Sequence, residues 1–334
     1  MKEAILTVIH TSVAQGIKRG RACGLLQVSA RRIQRWEVRE SLVDGTAGPR
    51  HAPHRLLAEE QAAILAMARD ERHIDDSHRV LAAKGNDRGI FAVSASTVYR
   101  VMRAVGLMTD RSGRSVRNGK SWKPERSDID GPNQRWCWDI SYLHTLLKGV
   151  FLYLYVLLDE YSRKVVSWRI SWYLTHKEGQ ELIEDGLTHE QLSTDQANRL
   201  ELYNDRGVQM KAKPFMRMLE DLGISQRFAR PRTPNDNPYI ESHFSIVKGD
   251  PQYPGVFADD RAGWTHFSTY FDWYNNERLH GNIGYVTPAQ KHRGEDKAIL
   301  ANRERSKKEA RQNRLVFNRI SWDNKLLTGG LVLA

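Results

Sequence analysis

Cysteine is scarce in this 334-residue chain, which contains only Cys23 and Cys137. Two cysteines exclude a disulfide framework and any cysteine-rich zinc module. Long apolar runs are also missing: the longest, Val150 to Leu158, has nine residues, whereas a membrane-spanning helix needs about 20. The N-terminus lacks the basic-then-apolar order of a secretory signal. We therefore expect a cytoplasmic protein that has no membrane partner.

The formal net charge of +11 is unevenly distributed along the chain. Residues 1–130 carry 23 Lys and Arg against 15 Asp and Glu, and residues 291–334 carry 11 against 5. Residues 131–290 carry 17 against 20, so the middle is slightly acidic. Basic flanks indicate a polyanion partner, and an acidic middle can supply carboxylates to a metal ion. Solubility alone is the alternative explanation of the basic flanks.

The N-terminal region has the pattern of a helix-turn-helix unit. A helical stretch from Ile17 to Leu26 is followed by a short break and a helix from Ala30 to Val38, which Ser29 can cap. In such units the second helix enters the major groove of DNA. The alternative is an ordinary helical hairpin with a solvated basic face. The candidate DNA contacts on this second helix are Arg31, Arg32 and Arg35.

A second unit of the same kind ends near residue 107. Ser94 can cap a helix from Ala95 to Val105, which Gly106 closes. Two such units in tandem favour DNA binding over two unrelated hairpins. The candidate DNA contacts in this unit are Arg100 and Arg103. In the basic segment that follows, the candidates are Arg114, Arg117 and Lys120. They recur every three residues, a spacing that suits contacts with successive phosphates. A solvated tether is the alternative for that segment.

The sequence pattern changes from helical to β-rich at Arg135. Three β-rich stretches, at 136–143, 151–158 and 164–170, predict an antiparallel meander. Helical segments at 177–187, 214–222 and 235–248 then alternate with short strands at 200–203 and 225–229, and another helix covers 264–278. This order predicts an α/β domain built on a mixed five-stranded sheet.

Three carboxylates lie where such a sheet brings chain segments together. Asp139 interrupts the first strand, Asp205 follows the strand at 200–203, and Glu241 lies beside the apolar stripe of the helix at 235–248. Burying an acidic side chain in or next to a strand costs free energy unless the carboxylate is paired or binds a cation. Carboxylate oxygens are hard ligands of the kind that Mg²⁺ prefers.

The spacing of the three acids and the sequence motifs around them resemble those of a known family. Sixty-five residues separate Asp139 from Asp205, and 35 separate Asp205 from Glu241. This resembles the DD(35)E signature of retroviral integrases and insertion-sequence transposases. The family named after insertion sequence three is most similar, on the motifs WDISYL, YLYVLLDEYSRKVVSW, NDRG, NDNPYIESHFSIVK and YNNERLHGNIGYVTPAQ.

The resemblance implies a ribonuclease-H-like catalytic core. In it Asp139, Asp205 and Glu241 hold two Mg²⁺ ions about 4 Å apart, with Mn²⁺ able to substitute, and cut and join DNA without a protein nucleophile. Lys248 resembles a family position that contacts DNA near the active site. Arg206 and Asn237 lie beside the acids as candidate phosphate or supporting contacts. In contrast, we expect Ser162 and Arg163 to brace a turn.

The last forty residues are dense in charge. Opposite charges at helical spacing from Lys291 to Arg314 predict an exposed helix, either a phosphate-binding tail or a plain solvated helix. Apolar stretches at 315–320 and 326–333 predict a terminal β-hairpin around Asp323 and Asn324.

The predicted organisation is multidomain, with all-α helix-turn-helix domains ahead of the α/β core. The domains are a first helix-turn-helix domain at 1–43, a linker at 44–55, a second helix-turn-helix domain at 56–107, a basic linker at 108–131, the catalytic core at 132–292 and a basic extension at 293–334.

The resemblance implies a bacterial, nucleoid-associated transposase that assembles as a homo-oligomer on double-stranded DNA. It binds the terminal inverted repeats of its element and joins them to target DNA. A DNA-binding regulator with a silent core and a metal-dependent nuclease of the same fold are the alternatives.

Overall fold

The computed structural model describes residues 1–39, 42, 52–108, 129–228 and 237–328. They form two compact units, one made of residues 1–53 and 318–334 and the other of residues 54–317. Among the described helices, none is both long and apolar enough to cross a membrane.

The first unit contains three short helices around a small apolar core. They are α1 (Lys2–Ala14), α2 (Arg19–Leu25) and α3 (Ala30–Glu37). Ile9, Cys23 and Ile33, one from each helix, are buried together. The backbone N–H of Arg32 donates to the hydroxyl of Ser29 at 3.3 Å, so Ser29 caps α3 as predicted.

The second unit begins with a three-helix bundle: α4 (Ala58–Arg69), α5 (His78–Asp87) and α6 (Ala95–Ala104). Ser94 caps α6, and Gly106, with a φ of 73°, ends it, both as predicted. Gly85 allows α5 to approach the segment before α6, because a Cβ there would lie 2.2 Å from the ring of Phe91. The bundle core consists of Ile64, Met67, Leu81, Ala82, Phe91, Val93, Val98 and Met102.

A mixed sheet follows, with strand order β3-β2-β1-β4-β5. The strands are β1 (Arg135–Thr145), β2 (Phe151–Asp159), β3 (Val165–Ser171), β4 (Glu201–Asn204) and β5 (Ser225–Phe228). The first three are antiparallel, and β4 and β5 run parallel to β1. The predicted five-stranded mixed sheet is confirmed. A two-residue strand, β6 (Val256–Phe257), also pairs with the end of β1, and it is too short to leave a period in the sequence.

Helices cover both faces of the sheet, because β1 is apolar on both sides. Trp136 and Trp138 point to the face covered by α7 (His176–His189) and α9 (Lys213–Asp221). Cys137 and Leu143 point to the face covered by α10 (Pro238–Lys248) and α11 (Asp260–Asn276). The short helices α8 (Thr194–Ala197) and α12 (Pro288–His292) complete this part of the unit.

The C-terminal prediction of a β-hairpin is wrong. A single 33-residue helix, α13, runs from Asp296 to Thr328 and includes Asp323 and Asn324. No Gly or Pro interrupts residues 296–328, and strong helix formers such as Ala, Lys, Arg and Glu recur along the segment. Helical continuity therefore prevails over the weak turn signal at Asp323 and Asn324.

Two arginines of α13 are buried and paired, although we expected this segment to be either a phosphate-binding tail or a solvated helix. Arg303 and Arg314 are only 6% and 9% exposed. Arg303 donates to both carboxylate oxygens of Asp87 at 2.6 Å and to the carbonyl oxygens of Gly284 and Tyr285 at 2.9 and 2.8 Å. Both residues therefore act inside the protein and not as a phosphate-binding tail.

Arg314 makes an equivalent contact with the start of the bundle. Its guanidinium donates to both carboxylate oxygens of Glu60 at 2.8 to 3.0 Å and to the carbonyl oxygen of Ala92 at 2.7 Å. Glu60 also accepts from the backbone N–H of Leu57 at 3.0 Å, at the N-terminus of α4. One guanidinium thus joins α13 to the first turn of α4 and to the segment that precedes α6.

We predict that Arg314→Met lowers the free energy of unfolding by about 2 kcal/mol, because Glu60 keeps its charge but loses its buried partner. Arg311→Met is the matched control, since Arg311 is exposed one turn earlier on the same helix. Urea denaturation of both variants checks the prediction. Equal stability of the two variants would contradict it.

Candidate active site

Asp139 occupies the centre of the central strand. It is half-buried on β1, on the same face as Cys137 and Leu143. That face is covered by α10, whose residues Ile240 and Val247 pack against it. The carboxylate of Asp139 therefore lies on the side of the sheet where α10 crosses β1.

Asp205 lies at the end of the neighbouring parallel strand. The register pairs Cys137 with Tyr203. Asp139 and Asp205 each lie two residues beyond this pair, so they occupy neighbouring positions on adjacent chain segments. The backbone N–H of Gly207 donates to a carboxylate oxygen of Asp205 at 2.8 Å. A Cβ on Gly207 would lie 3.1 Å from that oxygen, tighter than ordinary packing allows. Glycine thus lets the turn close around the exposed carboxylate.

Glu241 lies in the first turn of α10 and is exposed. The predicted apolar stripe of this helix is confirmed, since Ile240, Phe244 and Val247 are buried. Glu241 and Lys248 are exposed positions seven residues apart on the same helix, which is two turns along nearly one face.

The electrostatics of Asp139 link these groups. Burial is the main cause that raises the pKa of Asp139 to about 7, and the negative charges of Asp205 and Glu241 raise it further. The positive charge of Lys248 lowers the same pKa. Burial also raises the pKa of Glu241. Asp205, Glu241 and Lys248 therefore all act on the carboxylate of Asp139.

The donor chemistry of these acids suits a hard cation such as Mg²⁺. A cation would relieve the repulsion that raises the pKa of Asp139, so the half-buried carboxylate fits a ligand role. The side chains do not form a closed ligand set: within the described ranges, no group of three or more His, Cys, Asp or Glu residues is placed to hold a metal ion.

The other predicted site residues are spread over both units. Arg31, Arg32 and Arg35 are exposed on α3, and Arg100 and Arg103 are exposed on α6. Arg206 is exposed next to Asp205. Asn237 precedes α10 and is only 6% exposed, so it is not a surface contact here. Arg114, Arg117 and Lys120 lie outside the described residues.

Comparisons with known proteins agree with this geometry. Two family models, both described as integrase core domain, match residues 130–234 and 222–288. The transposase of insertion sequence element IS904 from Lactococcus lactis is 27% identical over 164 residues, which cover 47% of this chain and 60% of that protein. The transposase of IS629 from Shigella sonnei is 24% identical over 72% of this chain and 83% of that protein.

Residues 130–288 are an integrase core domain. The recognition made from the motifs is confirmed, and this core is that of a DDE-type polynucleotidyl transferase of the insertion-sequence-three kind. The catalytic core of HTLV-2 integrase, solved with magnesium, is also similar, at 17% identity over 48% of this chain and 97% of that one. Its TM-score of 0.36 is too low to add to the family match.

A hydrogen-bonded cluster at the β2–β3 turn of the integrase core includes a serine, a histidine and a glutamate. The hydroxyl of Ser162 donates to Asp159 at 2.6 Å and accepts from Nδ1 of His292 at 2.9 Å. Nε2 of His292 donates to Glu190 at 2.7 Å. Ser162 is fully buried, so this arrangement is not a nucleophilic site. The prediction that Ser162 braces the turn is confirmed.

His292 was missed from the sequence, because 130 residues separate it from Ser162. Burial opposes charge on His292, but hydrogen bonds to Asp159 and Glu190 outweigh it and raise the pKa of His292. Burial likewise raises the pKa of Glu190, but hydrogen bonds from His292 and Lys164 outweigh this and lower it to about 2. The charged forms of both groups therefore stabilise the fold.

We predict that this cluster stabilises the protein most at mildly acidic pH. A raised histidine pKa gives stability that is present below about pH 6.5 and lost as pH rises through the folded-state pKa. The stability deficit of His292→Gln relative to wild type should therefore shrink between about pH 6 and pH 9. Urea denaturation across this range checks it, and a constant deficit would show that His292 is neutral in the fold.

Proposed function

We propose that the protein is a transposase that binds the terminal inverted repeats of an insertion sequence and catalyses Mg²⁺-dependent nicking and strand transfer. The observation that carries this proposal is the electrostatic action of Asp205 and Glu241 on the half-buried carboxylate of Asp139, within the residues that match an integrase core. Three acids on two parallel strands and the helix that crosses them suit phosphoryl transfer through bound cations.

Each of these residues has a separate task in that chemistry. Asp139, Asp205 and Glu241 would hold two Mg²⁺ ions, which supply activation of water or a DNA 3′-hydroxyl and stabilisation of the leaving oxygen. Asp139 must lose its proton to bind a cation, and its raised pKa makes this loss depend on pH near neutrality. Lys248 would neutralise phosphate charge next to the cut.

DNA recognition would reside mainly outside the core. Exposed arginines on α3 and α6 sit on the second helix of each helical pair, as in DNA-reading helix-turn-helix units. Those of α3 are Arg31, Arg32 and Arg35, and those of α6 are Arg100 and Arg103. Arg114, Arg117 and Lys120 would track phosphates, Arg206 would contact DNA beside the acids, and a homo-oligomer would hold two element ends.

We expect Asp139→Asn, Asp205→Asn and Glu241→Gln each to reduce nicking and joining at least 100-fold while leaving DNA binding nearly unchanged. Each change removes a charge that a metal needs but that DNA recognition does not. Glu184→Gln, an exposed acid on α7, is the control.

The assay incubates the protein with its element's ends and Mg²⁺ and resolves nicked from joined products. A carboxylate variant that joins ends at a near-normal rate would remove that residue from the site. Nicking without joining by the wild type would identify a nuclease, and binding without either would identify a silent regulator.

We expect Lys248→Ala to weaken binding of the cleaved end and to reduce joining about tenfold, because a phosphate contact is lost. Lys248→Arg should be milder, since it keeps the charge. Lys177→Ala, at an exposed position of α7, is the control. Magnesium affinity of the Ala variant, measured by calorimetry, should stay unchanged. If both the affinity for the DNA end and the joining rate stay unaltered, Lys248 does not contact DNA and only complements the dipole at the C-terminus of α10.

A further inference from the structure

A small polar pocket lies beside the N-terminal half of α10. Its volume is about 180 Å³, enough for roughly six water molecules at about 30 Å³ each. No carboxylate is among the described residues that line it. Its polar lining comes from Arg163, Tyr239, Ser242, His243, His280 and Asn282.

The pocket carries positive charge without a compensating anion. The guanidinium of Arg163 stacks on the ring of Tyr239 at 3.6 Å and donates to the carbonyl oxygen of Glu160. Its Nε is buried and has no hydrogen-bond partner. Burial, together with the charges of Arg163 and Arg278, lowers the pKa of His280 to about 4. The potential here thus favours an anion.

Buried hydrogen-bonding groups at the pocket are also unpaired. His243 is 2% exposed, and neither of its ring nitrogens has a partner. A neutral imidazole still carries one N–H, and an unpaired buried donor costs about 1–3 kcal/mol. Nδ1 of His280 is unpaired as well. An acceptor in the pocket would satisfy these groups.

We propose that this pocket binds a backbone phosphate of the DNA strand next to the one that is cut. The proposal rests on the proposed function and extends its DNA contacts to residues that no comparison assigns. A guanidinium fork and neutral donors match phosphate oxygens. Ser242 follows Glu241 directly on α10, so the bound phosphate would lie within about 10 Å of Glu241, one helix diameter.

The key variant is Arg163→Asn. Arg163 has a φ of 67°, a left-handed conformation that Asn tolerates well, so the turn should persist while the guanidinium is removed. Asn282→Asp is the second variant, because it places a negative charge at an exposed position of the lining with almost no change in shape. Arg199→Asn and Thr188→Asp, both exposed and outside the pocket, are the matched controls.

The first measurement uses inorganic phosphate alone. Thermal unfolding of the full chain is compared in phosphate and in chloride at equal ionic strength, since a ligand of the folded state raises the midpoint. We expect Arg163→Asn and Asn282→Asp to lose most of the phosphate-specific rise, and both controls to keep it. A wild type that phosphate does not stabilise, or an equal rise in all variants, overturns the pocket as an anion site.

The second measurement uses a 40-base-pair duplex in EDTA, over a series of salt concentrations. We expect Arg163→Asn to weaken binding about tenfold and to reduce the salt slope by about 0.9, one phosphate contact. An unchanged slope overturns the DNA assignment. A wild type that binds no DNA refutes the proposed function instead, while the phosphate measurement still decides whether the pocket binds anions.

Discussion

The parallel pairing of β1 with β4 is the constraint on which the candidate site depends. It is fixed at its start by Arg135, which is almost fully buried and donates to Glu201 at 2.9 and 3.0 Å. These two residues are also partners in the strand register. Because the register is set there, Asp139 and Asp205 emerge together four residues later. A shift by one residue would move Asp139 to the opposite face of the sheet.

At the candidate site, the fold places Asp139 in an electrostatically unfavourable environment. Burial and two neighbouring negative charges raise the pKa of Asp139 to about 7, which means that its ionised form is destabilised in the folded protein. Lys248 offsets part of this. The opposite arrangement holds at the β2–β3 turn, where Glu190 is surrounded by donors and its pKa falls to about 2. The pKa values of Asp139 and Glu241 at the candidate site are therefore raised, whereas that of Glu190 in the structural cluster is lowered.

Local patterns predicted most of the core. Alternation in the first strand, a continuous apolar run in the second and β-rich stretches elsewhere located every strand except β6, and the apolar stripe of α10 indicated that Glu241 faces outward. The sequence could not reveal the contacts of Arg303 and Arg314, because their acidic partners lie more than 200 positions away. A charged helix also has the same pattern whether it is solvated or paired. The pocket at Arg163 was missed for the same reason: its lining comes from three separate segments of the chain, and the sequence around Arg163 suggested only a turn.

Arg303 connects these missed features. It binds Asp87 at the end of α5 and the carbonyl oxygens of Gly284 and Tyr285, which follow His280 and Asn282 of the pocket along the chain. The same side chain therefore holds the helical bundle that carries Arg100 and the segment that lines the pocket. A buried guanidinium with four such hydrogen bonds links these two segments directly. DNA bound by the bundle and a phosphate bound by the pocket would then be connected through Arg303.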